Sequence, residues 1–274
     1  MHLLIAHCLK LALTLLPVMA WLTPAPGTHS SAPLADPAPQ EVREEVNKTI
    51  TLAPGSQVKI SGLNGRVKIE TSNGNQAEIH ITITASDRAA FDRRPLYVED
   101  TGNSLTIRTD EQRDRDREWD RDGRDRDRGY VRHETLLRLP SNINLDVNGI
   151  NGGVEVGQIT GTVGINGING TVNVAQAGRA TKLTGINGRV SVSLASLGED
   201  GLRISGINGG VELRIPASTN AELDVRGTNG GVDSELQMMT MGTPRRGELR
   251  GTIGSGGPRI SVDGVNGGIH IKRL

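Results

Sequence analysis

The sequence predicts an all-β chain wound as a single parallel β-solenoid from repeats of ~18–21 residues. Three observations carry this. An octapeptide of the form Gly-aliphatic-Asn-Gly-x-Val-x-Val returns seven times, starting at Gly62, Gly149, Gly167, Gly185, Gly206, Gly227 and Gly264. From Gly149 onward the starts lie 18, 18, 21, 21 and 37 residues apart, and self-similarity at such a period marks stacked supersecondary units. Aromatic residues are only 2% of the 274 residues, against 36 glycines. A conventional core leans on Phe, Tyr and Trp, so a thin aliphatic stack fits better. The glycines follow no G-X-Y period, which excludes collagen.

Each copy joins two alternating runs. Val58/Ile60, Leu145/Val147, Leu202/Ile204 and Leu223/Val225 precede it; Val67/Ile69, Val154/Val156, Val172/Val174, Val190/Val192, Val211/Leu213 and Ile269/Ile271 follow. Alternation of β-branched and polar residues puts one strand face in a core and the other in water. Asn-Gly between the runs tolerates positive φ and turns the chain. Two architectures satisfy this pattern. In stacked β-hairpins, Ile60 would pair with Ile69. In a solenoid every Asn-Gly is the same corner, and Asn64, Asn151, Asn169, Asn187, Asn208, Asn229 and Asn266 stack as a ladder of side-chain amides. Stacked neighbours demand identical residues at identical phase and hairpins do not, which favours the solenoid. The last, 37-residue interval spans about two periods, and Gly254–Val262 reads as a degenerate copy within it.

Taken in order, residues 1–26 read as a signal peptide. Lys10 precedes the apolar run from Leu11 to Ala20, which ends in the small-residue pattern Val18-Met-Ala20. The run is short for a membrane span, so membrane attachment is expected only if this segment is retained. Cys8, the one cysteine, falls inside it. Residues 27–43 are a Pro/Ala-rich tether, and 44–274 form the repeat domain. Residues 111–134 interrupt it as an Arg/Asp-rich insertion whose charges alternate too tightly for a core face, so it reads as disordered.

The order of segments then points to a family. Ile81-Thr-Ile-Thr-Ala-Ser86, Leu96-Tyr-Val98, Gly102-Asn-Ser-Leu105-Thr-Ile107 and Leu137-Arg-Leu-Pro140 are followed by the Gly-Ile-Asn-Gly copies and a terminal Val265-Asn-Gly-Gly-Ile-His-Ile271. This resembles the bacterial putative-adhesin domains of unknown function, related to the head-GIN domains, over about Val46 to Leu274. The resemblance implies an exported protein with a parallel β-solenoid fold. It supplies no catalytic residue, and the Arg/Asp tract departs from the pattern.

Composition and motifs narrow the function. Lys+Arg and Asp+Glu are both 31, which argues against a nucleic-acid partner. His133-Glu134 begins like a zinc-protease motif, but Leu137 stands where the second histidine belongs. Glu118, Asp120 and Asp122 mimic a calcium loop whose closing acid is replaced by Gly129. No Walker loop, G-x-S-x-G or G-x-G-x-x-G occurs, and no cofactor is expected. The outward positions Glu155, Asn173, Ser191, Glu212, Asp233 and His270 read as a scattered set rather than a catalytic cluster. The expectation is therefore an exported, non-enzymatic envelope or surface protein (periplasmic, cell-surface or extracellular), adhesive or scaffolding, with an unidentified surface ligand or envelope partner. The alternatives are a carbohydrate-active enzyme on a β-helix and a partner in an envelope-stress system. The stretch combining Trp, Tyr and Arg points to Trp119, Tyr130, Arg121 and Arg124 as partner contacts.

Overall fold

The computed structural model describes residues 41–110, 129–177, 180–194, 196–240 and 247–274. The signal-like segment, most of the tether and the bulk of the Arg/Asp tract lie outside these residues. The described chain is all-β, with one five-residue helix and two large mixed sheets: ten strands in sheet A and eleven in sheet B.

The seven copies form seven strand pairs. They are β2 (Gln57–Ser61) with β3 (Gly65–Ser72), β8 (Asn144–Asn148) with β9 (Val154–Ile159), β10 (Val163–Asn169) with β11 (Val172–Ala177), β12 (Ala180–Asn187) with β13 (Val190–Ser193), β14 (Gly201–Asn208) with β15 (Val211–Ile215), β16 (Ala221–Gly227) with β17 (Val232–Ser234), and β20 (Arg259–Val265) with β21 (Ile269–Arg273). An eighth pair without the octapeptide is β6 (Ser104–Thr109) with β7 (Val131–Pro140). The first strand of each pair lies in sheet B and the second in sheet A, and like strands of neighbouring pairs run parallel. The hairpin pairing does not occur. Ile60 lies opposite Ile107 and Val147, and Ile69 lies opposite Leu137 and Val156.

Spatial order departs from chain order at both ends. The β6/β7 pair sits outside β2/β3, and the last pair, β20/β21, is inserted between β14/β15 and β16/β17. Among the described residues the 37-residue interval therefore holds no degenerate copy. It holds β18 (Met239–Thr240) and β19 (Glu248–Ile253), with β19 antiparallel to β16 and β18 antiparallel to β19 on its far side, followed by the turn into β20. Ile260 and Val262, assigned above to that copy, are the inward residues leading to the final corner.

Alternation does what it predicts. Along the stack Val58/Ile60, Leu145/Val147, Val163/Ile165, Leu202/Ile204 and Val172/Val174 are 0–2% exposed. So are the corner aliphatics Leu63, Ile150, Ile168, Ile186, Ile207 and Val265, at 0–1%. The N-terminal end is roofed. β1 (Val42–Thr51) and β4 (Gln76–Ala85) run antiparallel beside β7, so the strands begin two residues before the domain boundary placed at 44. The core-facing side of β1 carries Glu44, bound by Arg88 at 2.9 Å, and Lys48, which donates to the Val98 carbonyl at 3.3 Å. Charges pointing inward on an edge strand oppose further pairing. Helix α1 (Arg88–Asp92), capped by Asp87 accepting from the Ala90 amide, and strand β5 (Leu96–Asp100) complete this end.

Candidate functional site

Two features are built from the repeat: the corner ladder and the outer face of sheet A. The seven asparagines form one continuous run of amide hydrogen bonds. Asn151 donates to Asn64 at 3.0 Å, Asn169 to Asn151 at 3.0 Å, Asn187 to Asn169 at 3.1 Å and Asn208 to Asn187 at 3.1 Å. Asn266 then donates to Asn208 at 3.2 Å, and Asn229 to Asn266 at 3.1 Å. The run follows the spatial order, not the sequence order. At its head, Asn64 donates to the Val131 carbonyl at 2.6 Å, which fixes the direction of every amide below it. From Asn151 to Asn229 the row is solvent-exposed.

The corner's positive φ falls on its glycines. No asparagine has positive φ; the glycines on either side of it do. The first glycine of six copies sits at φ 62–73, a left-handed turn. The second sits near φ +141 to +158, and a Cβ on Gly170 would lie 2.2 Å from the Gly152 carbonyl oxygen of the neighbouring rung. Glycine is required there by the approach of backbone to backbone. The asparagine serves the ladder alone.

On the outer face of sheet A, parallel register turns the apparently scattered positions into one row: Lys68, Glu155, Asn173, Ser191, Glu212, His270 and Asp233 lie on successive strands. Beside it, Gly157, Ala175 and Ser193 form a row of small residues. Between them lies a trough of about 490 Å³ floored by Gly157, Ala175, Ser193, Asn173 and Ser191. Sequence reasoning missed this floor, although the signal was present: in three consecutive copies the residue after Val-x-Val is small.

Both borders neutralise themselves. On one side Lys68 binds Glu70 at 2.8 Å, Arg138 reaches Glu70 and Glu78, and Arg66 binds Glu155. On the other, Glu212 is held by Lys272 at 2.9 Å and Arg214 at 2.8 Å. The Lys272 hydrogen bond, then Arg214, holds the Glu212 carboxyl below its ordinary range, as Lys68 and Arg138 do for Glu70. Glu155 and Glu212 stand three strands apart, roughly 14 Å at a spacing of ~4.8 Å per strand. Paired glycosidase carboxylates lie only about 5–9.5 Å apart. His270 and Asp233 approach at 3.4 Å on the exposed edge.

The other sequence candidates fall elsewhere. Trp119, Arg121 and Arg124 lie outside the described residues. Tyr130 is half exposed just before β7, its amide donating to Ser86 at 3.1 Å. That strand begins at Val131, inside the boundary given to the insertion. It points His133 into the core and Glu134 outward, so the two cannot converge on one metal. The described aromatics gather at the roofed end, where Arg88 stacks over Phe91 at 4.8 Å and Arg108 over Tyr97 at 4.5 Å.

No family model matches the chain, and no curated protein is detectably similar. Solved structures similar to it include a "putative cell adhesion protein" from Clostridium sporogenes, 11% identical over 85% of this chain and 100% of that one, with a TM-score of 0.41. A "putative adhesin" from Bacteroides fragilis is 11% identical over 84% and 97%, with a TM-score of 0.33. A "putative lipid binding protein" from Parabacteroides distasonis is 13% identical over 84% and 96%, with a TM-score of 0.27.

Proposed function

We propose that this chain is an exported, non-enzymatic surface protein, a parallel β-solenoid whose sheet A face adheres to an extended, hydroxyl-rich ligand such as a neutral glycan chain. The solenoid reading rests on the alternation of consecutive strands between two sheets, joined by one repeated corner. The adhesive reading rests on the trough. Its floor offers hydroxyl and amide groups from Ser191, Ser193 and Asn173, and small residues leave the space above them open. Its bordering charges are already paired, so a polyanion finds little uncompensated positive charge. A flat, hydrogen-bonding strip three strands wide suits a chain that lies along it. Export rests on the signal-like residues 1–26.

The test is a glycan array probed with the wild type and with Ala175→Trp, which fills the trough from an exposed position. Wild-type binding lost in Ala175→Trp, at unchanged melting temperature, supports the reading. Equal binding by both proteins, or no glycan bound by the wild type, refutes it. Turnover of any bound glycan that disappears in Glu212→Ala would make the protein an enzyme instead.

A further inference from the structure

The seven corners share one dipeptide, and Asn-Gly is the pair in which a backbone nitrogen most easily reaches the preceding side chain, because glycine leaves that nitrogen unshielded. The stack treats the seven unequally. In four corners the nitrogen that would attack is occupied: the amides of Gly65, Gly152, Gly170 and Gly188 donate to the Asn151, Asn169, Asn187 and Asn208 carbonyls at 2.9–3.0 Å. The side chains of Asn151, Asn169, Asn187, Asn208 and Asn266 each donate to one ladder neighbour and accept from another. Asn64 accepts from Asn151 and donates to Val131.

Asn229 is the exception. Among the described residues no rung follows it, and its one ladder bond is the donation to Asn266 at 3.1 Å. Its corner is otherwise held by backbone alone: the Thr228 amide donates to the Val265 carbonyl at 2.8 Å and the Gly231 carbonyl accepts from the Ile269 amide at 3.0 Å, but no buried side chain secures it. Thr228 stands where every other copy has an aliphatic that is 0–1% exposed, and Thr228 is exposed. Gly227 lacks the left-handed φ of the other six first glycines, and the register slips between Val225 and Gly227. Residues 228–231 are all exposed.

We infer that Asn229-Gly230 is a modification site, the corner at which this chain deamidates spontaneously. The Gly230 nitrogen attacks Asn229 Cγ, a C–N bond forms, and ammonia leaves carrying the proton from that nitrogen. Water then opens the cyclic imide at either carbonyl, giving an aspartyl or isoaspartyl residue. No oxidant or reductant takes part. The new carboxylate has no proton to donate, so it faces the Asn266 Oδ1 as acceptor against acceptor and the last ladder bond is lost. Reversing the ladder cannot restore it. Every amide would have to turn over, and Asn64 would then present oxygen to the Val131 carbonyl. The reaction is a one-way release of the terminal corner.

Peptide mapping by mass spectrometry of the purified wild type, held at body temperature in mildly alkaline buffer, tests this, with an isoaspartyl methyltransferase as a second readout. Asn229 should convert at least about tenfold faster than Asn151, Asn169, Asn187 or Asn208, the ratio that roughly 1.4 kcal/mol of easier local opening gives. The same chain in denaturant should convert all of these at similar rates. Equal rates in the folded protein, or conversion of an interior corner first, overturns the inference. So does an equal lead for Asn229 in the denatured chain, which would place the cause in local sequence and not in the ladder.

Discussion

The two ends of the ladder are made from the same Gly-x-Asn-Gly pattern and finished in opposite ways. At the first end, Asn64 is half-buried, its amide runs into the Val131 carbonyl, and Leu63 is 1% exposed. Beyond it lie β7, β4, β1 and the short helix, with Phe91 packed against the core. At the other end, sheet A stops at the three residues of β17, and Thr228 and Asn229 face solvent. A repeat specifies the rung but not its termination, so each end needs its own sequence. The roof is written in the only described aromatics, a capped helix and inward charges on the edge strand. The open end is protected mainly in sheet B, where β19 runs antiparallel beside β16 and β18 covers β19 in turn.

The largest effects should come from crowding the corner, and they should differ between the ends. Gly65→Ala would set a Cβ 1.9 Å from the His133 carbonyl oxygen, between two rungs that cannot separate. Strain at its backbone angle and the overlap together should cost about 3–5 kcal/mol. Gly230→Ala meets the Gly267 carbonyl at 2.2 Å, but on the terminal rung, which can shift outward alone. It should cost no more than about 2 kcal/mol. Val190→Asp, buried at 0% exposure in the middle of the stack, provides the scale at several kcal/mol. Urea denaturation of the three variants checks this. Equal losses for Gly65→Ala and Gly230→Ala would mean that the two ends are held alike.

A second difference is titratable. His133 is 1% exposed on β7, and its Nδ1 accepts from the Asn64 amide at 3.2 Å. Burial, aided by the Arg94 charge, holds its pKa below the ordinary 6.5. Below pH 6.5 the unfolded chain therefore binds a proton that the folded one refuses. Stability should fall as the pH drops below 6.5 and level off once the folded-state pKa is passed. The depressed carboxyls of Glu70, Asp87, Glu212 and Asp224 act in the same direction, but their loss lies below 4.5. Melting curves stepped from pH 7 to 5 should show the decline in the wild type, and His133→Leu should flatten it. A decline that persists in His133→Leu would place its source elsewhere.

Much of this was legible because a stack must repeat itself. The inward aliphatics, the alternation and the corner positions follow from period and phase, and strict phase is what one rung demands of the next. What was not legible depends on contacts between distant segments. Nothing local in Val265-Asn-Gly says that its strand is inserted between β14 and β16. A 37-residue interval is as compatible with a degenerate rung as with an antiparallel return. The row from Lys68 to Asp233 looked scattered for the same reason: residues up to 202 positions apart, Lys68 and His270, share one line only after parallel register is imposed. The pair Asn-Gly signalled a corner with positive φ without saying which residue carries it, and here the glycines carry it and the asparagines do not.

The smallest effects should grade along the ladder itself. Its amide bonds are exposed over most of their length, so water replaces a missing partner, and each is worth less than a buried one. Asn187→Ala removes two interior bonds, to Asn169 and from Asn208, and should cost about 1 kcal/mol. Asn64→Ala removes the bond from Asn151 and also leaves the Val131 carbonyl without its donor beside the buried His133, so it should cost slightly more, about 1–2 kcal/mol. Asn229→Ala removes one exposed bond at the free end and should cost less than about 0.5 kcal/mol. The ordering, measured as shifts in urea midpoint at constant slope, is the informative quantity. Each asparagine occupies the same position between two glycines of a Gly-x-Asn-Gly tetrapeptide, so most of the intrinsic propensity cancels in the comparison. If all three variants lose the same amount, the asparagines act through the local corner alone. If the losses rise from Asn229 through Asn187 to Asn64, the ladder transmits the anchoring of its roofed end down the stack.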